Sequence, residues 1–327
     1  MPKKILNNII TIVIAGVLLI IGLHGNAQQV KTYTIPEHEV KKYHQLNDQE
    51  IRLGEYKDDK SVLLIKLNQL AHINTSRKKY RKPPVQLDIL ASRVANKIAK
   101  EAALGNFMGH FNTRGEKPYH RYAFAGGTAH VSENASALSS SEHLASAPKD
   151  IAAYMQQAHN AFMAERAPND GHKQNCIDPN HNSVGLGFYL HKGQFRYYEE
   201  FLDLYMTTGD FKTTVTANEK FKIPVKPIKG KYVHMILAYY EKFPYPMSAS
   251  AINRQMKYDD YTNDLAYKIL PWELPKPNAR GFTELAFDFK KKGLYYIQIY
   301  LDDKPYTSGS ASTKNKIQAS GIVITVN

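Results

Sequence analysis

The stretch GHKQNCIDPNHNSVGLG, residues 171–187, joins a candidate metal ligand directly to a β-strand. His172 stands in a segment rich in Asn, Asp and Gly, the composition of a turn. Val184, Leu186 and Phe188 then alternate with small or polar residues, as the inward positions of a half-buried strand do. A histidine at the mouth of a sheet is well placed for chemistry, because a neutral imidazole offers a nitrogen lone pair to a metal ion. Two upstream segments supply partners for it: GHFNTRG, with His110, and SENAS, with Glu133.

The residues around these segments alternate between helical and extended periods. From Ser61, Leu63, Leu67 and Leu70 recur at helical spacing, with Leu64 and Ala71 widening the face, until Pro83 and Pro84 end the run. Asp88 opens a second helix in which Leu90, Val94, Ile98 and Ala102 follow at intervals of four, and Gly105 stops it. Gly126 and Gly127 imply a turn before the SEN segment, and residues 135–148, ASALSSSEHLASAP, read as a surface loop. A helix from about Asp150 carries Ile151, Met155, Ala158 and Phe162 on one face. His159 borders that face and reads as a satisfied helix histidine, while His130, His143, His181 and His191 read as surface imidazoles. After the strand that starts at Val184, HKGQ makes a turn and FRYYEEFLDLY supplies a second, antiparallel strand.

The three segments, in this order, resemble the CAP superfamily of SCP-like domains, which includes cysteine-rich secretory proteins, antigen-five allergens, plant pathogenesis-related proteins and secreted bacterial relatives. The resemblance covers about residues 61–205. Gly171, His172, Lys173, Asn175, Ile177, Pro179, Asn180, Val184, Gly185, Leu186 and Gly187 fall in the register of the family's third motif without a gap. His110 matches the first motif, and Glu133, Asn134 and Ala135 match the second. Phe162 stands where the family often carries a Trp, and extra residues around Arg166 to Pro168 separate it from His172. Glu165 is the nearest counterpart of a second acidic residue found in many eukaryotic members. The resemblance implies a three-layer α-β-α sandwich in which His110 and His172 face a central cleft and hold a divalent cation, zinc by preference. Glu133 and Glu165 then stand beside them, as supports for the histidines or as lining of the cleft.

Beyond Thr208 the composition shifts. The segments ELAFDF, GLYYIQIYLDD and SGIVITVN alternate as strands, with Leu285, Phe287 and Phe289 on one face and Tyr295, Ile297, Ile299 and Leu301 on another. Several short strands separated by Pro, Gly and Asn indicate an all-β sandwich of immunoglobulin-like type over residues 209–327. The expected fold is therefore α+β: a CAP-type sandwich at 61–208 followed by this β-sandwich. Trp272, the single Trp, is expected to plug a core or a domain interface rather than to offer a platform for sugars.

At the other end, residues 1–27 pair two lysines with an apolar run from Ile9 to Leu23 and a small-residue end at Gly25, Asn26 and Ala27. That is the layout of a secretory signal peptide cleaved after Ala27, an uncleaved anchor being the alternative. Residues 28–60 read as a polar extension. Cys176 is the only cysteine, so no intrachain disulfide forms and the core must hold the fold. It occupies an apolar position of the third motif and reads as a small buried hydrophobe.

The net charge of +13 favours anionic surfaces, which makes a cell-envelope polymer, a lipid or a protein ligand the expected partner. The charge is dispersed, and no zinc-finger spacing or aromatic RNA-binding signature accompanies it, so nucleic acid is not expected. GxSxG, HExxH and P-loop patterns are all absent. Two functions follow: an extracytoplasmic module that binds a divalent metal or polar ligand, or a metal-assisted, peptidase-like hydrolase with Glu133 as general base.

Overall fold

The computed structural model describes residues 9–14, 17–22, 30–255 and 257–327. In chain order its helices are α1 (Glu37–Gln49), α2 (Lys60–Lys79), α3 (Ile89–Gly105), α4 (Pro118–Phe124), α5 (Pro148–Ala164), α6 (Gly171–Cys176) and α7 (Ala249–Arg254). The strands are β1 (Ile9–Ile14), β2 (Val17–Gly22), β3 (Gln86–Leu87), β4 (His130–Ser139), β5 (Ser183–His191), β6 (Gln194–Asp203), β7 (Met206–Thr208) and β8 (Thr214–Val215). They continue as β9 (Phe221–Pro227), β10 (Tyr232–Glu241), β11 (Leu265–Ile269), β12 (Thr283–Phe287), β13 (Gly293–Asp302), β14 (Ile317–Gln318) and β15 (Ile322–Val326). The fold is mixed α+β, and the chain divides into two compact units. Neither is one continuous stretch: Glu116–Val131 belongs with the C-terminal strands, and Pro246–Lys257 returns to the helical unit.

The helical unit is built on a sheet of order β2-β1-β4-β6-β5-β3. Leu63, Leu67, Leu70 and Ile73 of α2 and Ile151, Met155 and Phe162 of α5 share one core with Val184 and Leu186 of β5 and with Phe195, Tyr197 and Phe201 of β6. Side chains alternate across a strand, so Gly185 and Gly187 face the other way, and there α3 lies against the sheet. A Cβ at Gly185 would stand 2.4 Å from the backbone carbon of Ala91, and one at Gly187 2.1 Å from that of Ala95. The two glycines let the helix approach the strand backbone, so the sheet carries helices on both faces. Asp88 caps α3 as its sequence predicts, accepting a hydrogen bond from Ala91 N at 2.7 Å.

Two sequence expectations change here. The polar extension holds α1, with Tyr43 and Asn47 buried, and Arg93 of α3 donates to the backbone oxygens of Asn47 and Arg52. Polar side chains that satisfy backbone carbonyls conceal a packed helix from a hydrophobic-period reading. The loop expected at residues 135–148 is strand as far as Ser139, because its small Ala and Ser side chains are buried in the sheet rather than solvated. The described parts of the N-terminal apolar run, β1 and β2, form an antiparallel hairpin whose first strand pairs with β4 at Thr11↔Ser139 to Ile14↔Ser136. The expected cleavage site at Gly25 to Ala27 lies outside the described residues. Among the described residues no helix is long and apolar enough to cross a membrane.

The second unit has a sheet of order β11-β10-β13-β15-β8, with β14 on β13, and a smaller sheet β12-β9-β7. Ile223, Val225, Leu285 and Phe287 of the small sheet share a core with Ile297, Ile299, Ile322 and Ile324 of the large one. The β8–β15 pairing is parallel. From α4, Tyr119 stacks on Tyr296, with ring centroids 4.1 Å apart, and its hydroxyl donates to Glu241 at 2.5 Å. Trp272 is not in a core: it is 57% exposed and lies beside Tyr306. Pro271 opens the short 3-10 turn, Pro271–Glu273, that carries the indole.

His130 and His181, expected at the surface, are shielded from solvent, His181 at 3% exposure. His130 Nδ1 lies 3.0 Å from Asp203 Oδ2, and its Nε2 lies 3.8 Å from Asp260 Oδ2. Burial disfavours a charged ring, but hydrogen bonds to both carboxylates prevail and push the His130 pKa up to about 10. A folded-state value raised above the ordinary value of about 6.5 stabilises fully below that pH, and the contribution fades as pH rises through the folded value. Urea unfolding of wild type and His130→Gln should therefore differ most near pH 6 and converge as the pH approaches 10. The glycine contact gives a second expectation. Gly187→Ala forces α3 off the strand and should lower stability by about 1–3 kcal/mol, the usual range for overpacking, read from the urea midpoint.

Candidate functional site

Each of the two predicted histidines is held by one of the two predicted glutamates. His110 lies in the irregular segment after α3, and its Nδ1 is 2.8 Å from Oε1 of Glu133 on β4. The pair is nearly buried, with side-chain exposures of 7% and 0%. His172 is the second residue of α6, and its Nδ1 is 2.5 Å from Oε1 of Glu165, the residue that ends α5. This pair is about 10% exposed at each side chain. The other Glu165 oxygen accepts from the backbone N–H groups of His172 and Lys173 at 3.0 and 3.3 Å. One carboxylate thus caps α6 and fixes the ring that α6 presents. Phe162, one turn back on α5, stacks on His172 with centroids 4.9 Å apart.

A carboxylate at Nδ1 sets the tautomer. With the proton on Nδ1 directed at the glutamate, the lone pair of the neutral ring lies on Nε2, the arrangement in which a histidine serves as a metal ligand. The extra residues at Arg166 to Pro168 left the alignment of Glu165 unsettled, and the structure places its carboxylate on His172. The rigidity of the third segment comes from α2. The fully buried guanidinium of Arg77 donates to the backbone oxygens of Cys176, Asp178 and His181 at 2.7, 3.0 and 3.0 Å, and to that of Pro83 at 2.7 Å.

Behind the third segment lies a polar group that the sequence reading did not assemble. His159 of α5, Cys176 at the end of α6 and Glu199 of β6 are each fully buried, and their ligating atoms all lie within 4.8 Å of one another, close enough to hold a metal ion. His159 Nδ1 is 2.9 Å from Glu199 Oε1, and Cys176 Sγ is 3.6 Å from Glu199 Oε2. Burial alone would raise the Glu199 carboxyl, but the facing His159 outweighs it and holds the pKa low. Burial drives the Cys176 thiol well above its ordinary value. His159 is thus a helix histidine partnered at Nδ1 only, and Cys176, expected as a small buried hydrophobe, is buried in a polar group. Glu199 escaped notice because it sits within the strand FRYYEEFLDLY, where a charge is the last residue expected to point inward. Asn134, next to Glu133, links the two regions: its Nδ2 lies 3.2 Å from His172 O and from Cys176 Sγ, and 3.3 Å from Glu199 Oε2.

Comparison with known proteins agrees with the motif reading. Residues 70–208 match the model of the cysteine-rich secretory protein family, CAP. Among solved structures, an extracellular protein containing an SCP domain from Bacillus anthracis aligns at 17% identity and a TM-score of 0.30, over 52% of this chain and 45% of that one. An outer surface protein of Borrelia burgdorferi aligns at 14% identity and a TM-score of 0.32, over 53% of this chain and 98% of that one. The chain thus spans under half the length of the Bacillus protein. No curated protein matches it.

The double role of Glu165 can be separated by substitution. Glu165→Ala removes both the cap of α6 and the anchor of His172, and should lower stability by about 1–2 kcal/mol. Glu165→Gln keeps an oxygen for the two backbone N–H groups and should lose about half of that, with both variants read by urea unfolding at neutral pH.

Proposed function

We propose that this chain is an exported CAP-domain protein whose His110–Glu133 and His172–Glu165 pairs bind a divalent metal ion, zinc by preference, or a polar ligand. The second unit, an immunoglobulin-like sandwich on this reading, brings that site to a surface or partner, such as an envelope polymer, a lipid or a protein. The observation that carries the proposal is the carboxylate on Nδ1 of both histidines, which orients each ring and leaves Nε2 as its ligating nitrogen. Support for the site as a binding module comes also from Glu133. A general base must be able to take a proton from water, and Oε1 of Glu133 is engaged with His110. The hydrolase alternative is accordingly the weaker one.

Calorimetric titration with zinc tests this reading, carried out in a Cys176→Ser background so that the buried group does not contribute. His110→Ala and His172→Ala should each abolish binding. Glu133→Gln and Glu165→Gln should weaken it by about 10–100-fold, the usual cost of losing the group that orients a ligand. Because imidazole binds metal only when unprotonated, affinity should fall as pH is lowered from about 8 to about 5.5. Zinc affinity unchanged in both histidine variants would remove the site. Hydrolysis found in a peptide-substrate screen, and abolished by Glu133→Gln, would replace the binding reading with the enzyme.

A further inference from the structure

We propose that His159, Cys176 and Glu199 form a second metal centre, buried and structural, that takes a thiophilic divalent ion of the zinc class and ties α5, α6 and β6 together. It is distinct from the cleft pairs and does not depend on their binding anything. Its ligands are three different donor types from three separate elements, and all three residues are fully buried. The Nδ1 to Oε1, Sγ to Oε2 and Sγ to Nδ1 separations are 2.9, 3.6 and 4.0 Å. An ion with Zn–N and Zn–O bonds of about 2.0–2.2 Å and a Zn–S bond of about 2.3 Å, arranged tetrahedrally, sets its ligand atoms about 3.3–3.6 Å apart. The two carboxylate oxygens face the imidazole and the thiol separately, and with one ligand atom from each residue all three lie within 4.8 Å of one another, so the group closes on a metal by contracting up to about 1.2 Å at its widest separation.

The surroundings suit the charged forms of the ligands. Asn134 Nδ2 directs its N–H groups toward Cys176 Sγ at 3.2 Å and Glu199 Oε2 at 3.3 Å, and the Tyr197 hydroxyl donates to Glu199 Oε1 at 2.9 Å. Donors aimed at sulfur and carboxylate stabilise a thiolate and an ionised glutamate, and they orient both from behind. A neutral imidazole, one thiolate and one carboxylate carry two negative charges, which a divalent cation cancels, so the fully buried group becomes neutral as a whole. Without the ion the buried carboxylate is offset by the facing His159 and by hydrogen bonds from Asn134 and Tyr197, and the thiol beside it stays protonated. On binding, the sulfur–metal bond forms as the thiol releases its proton to solvent. The proton that Nδ1 directs at Glu199 in the free protein leaves that nitrogen, the neutral ring keeping its one proton on Nε2, so the Nδ1 lone pair binds the ion and no electron is transferred. Nε2 of His159 makes no hydrogen bond, and the ring lies edge-to-face with His72 at 5.5 Å, so Nδ1 is the nitrogen that meets the other two ligands. Thiolate and imidazole together select zinc-class ions over magnesium or calcium. Since no side chain of the group reaches solvent, the ion enters as the chain folds.

The test is to refold the full chain with cobalt(II), which reports thiolate ligation through a charge-transfer band in the near ultraviolet. One such band is expected in wild type, and with equal intensity in the His110→Ala/His172→Ala double variant, which should take up one equivalent of cobalt. Cys176→Ser should lose the band, and Glu199→Gln should weaken cobalt binding by at least tenfold. In the His110→Ala/His172→Ala background, adding a chelator during refolding should lower the thermal midpoint, but not once Cys176→Ser is added. Because Cys176 is the only cysteine, a thiolate band in wild type identifies the sulfur even if a variant fails to fold. Wild type refolded with cobalt that shows no band, or a band that survives in Cys176→Ser, overturns the proposal. Failure of the cleft proposal would leave these outcomes untouched.

Discussion

A guanidinium with no exposure to water holds the segment that follows α5 in place. Arg77 cannot lose its charge, so a buried position is tolerable only if its N–H groups meet acceptors. Here the acceptors are backbone oxygens of Pro83, Cys176, Asp178 and His181. Three of those four belong to the segment that begins with His172, and so one side chain of α2 fixes a stretch that has little regular structure of its own. Removing the guanidinium would strand several carbonyls in the interior at once, each costing about 1–3 kcal/mol. The position of His172, the cap on α6 and the placement of Cys176 all follow from that anchoring.

Much of this was legible in the sequence, because motif and period carry different information. Helical spacing of Leu63, Leu67 and Leu70 and of Leu90, Val94 and Ile98 located α2 and α3, and the Val184 to Leu186 alternation located β5. The four residues His110, Glu133, Glu165 and His172 came from motif order, and the structure joins them into two pairs. What periodicity cannot express is a buried polar group whose partner is remote in sequence. Glu199 meets His159 across 40 residues, and Asn47 meets Arg93 across 46. His130, read as a surface imidazole, is partly buried and faces Asp203, 73 residues away. Each of these looks like a solvated residue until its partner is known.

The same limit explains the unit composition. The shift from helical to strand periods near Gly209 is real, yet Glu116–Val131 folds with the strands, because Tyr119 finds its stacking partner in Tyr296. An aromatic residue in a short helix carries no local sign of which sheet it will meet. Trp272 shows the opposite case, a large apolar ring that sequence statistics assign to a core but that the turn at Pro271 leaves in solvent.

Glu133 and Asn134 are neighbours on β4, so they point to opposite faces of the sheet. The first engages His110, and the second reaches His172 O, Cys176 and Glu199. A slip of this strand by one residue in one direction would put the Asn134 amide where His110 needs a carboxylate, and a slip in the other would put the Glu133 carboxylate where Glu199 already supplies one. The two faces therefore proofread each other: only one alignment of β4 satisfies both, and strand register is enforced by polar chemistry as well as by apolar burial.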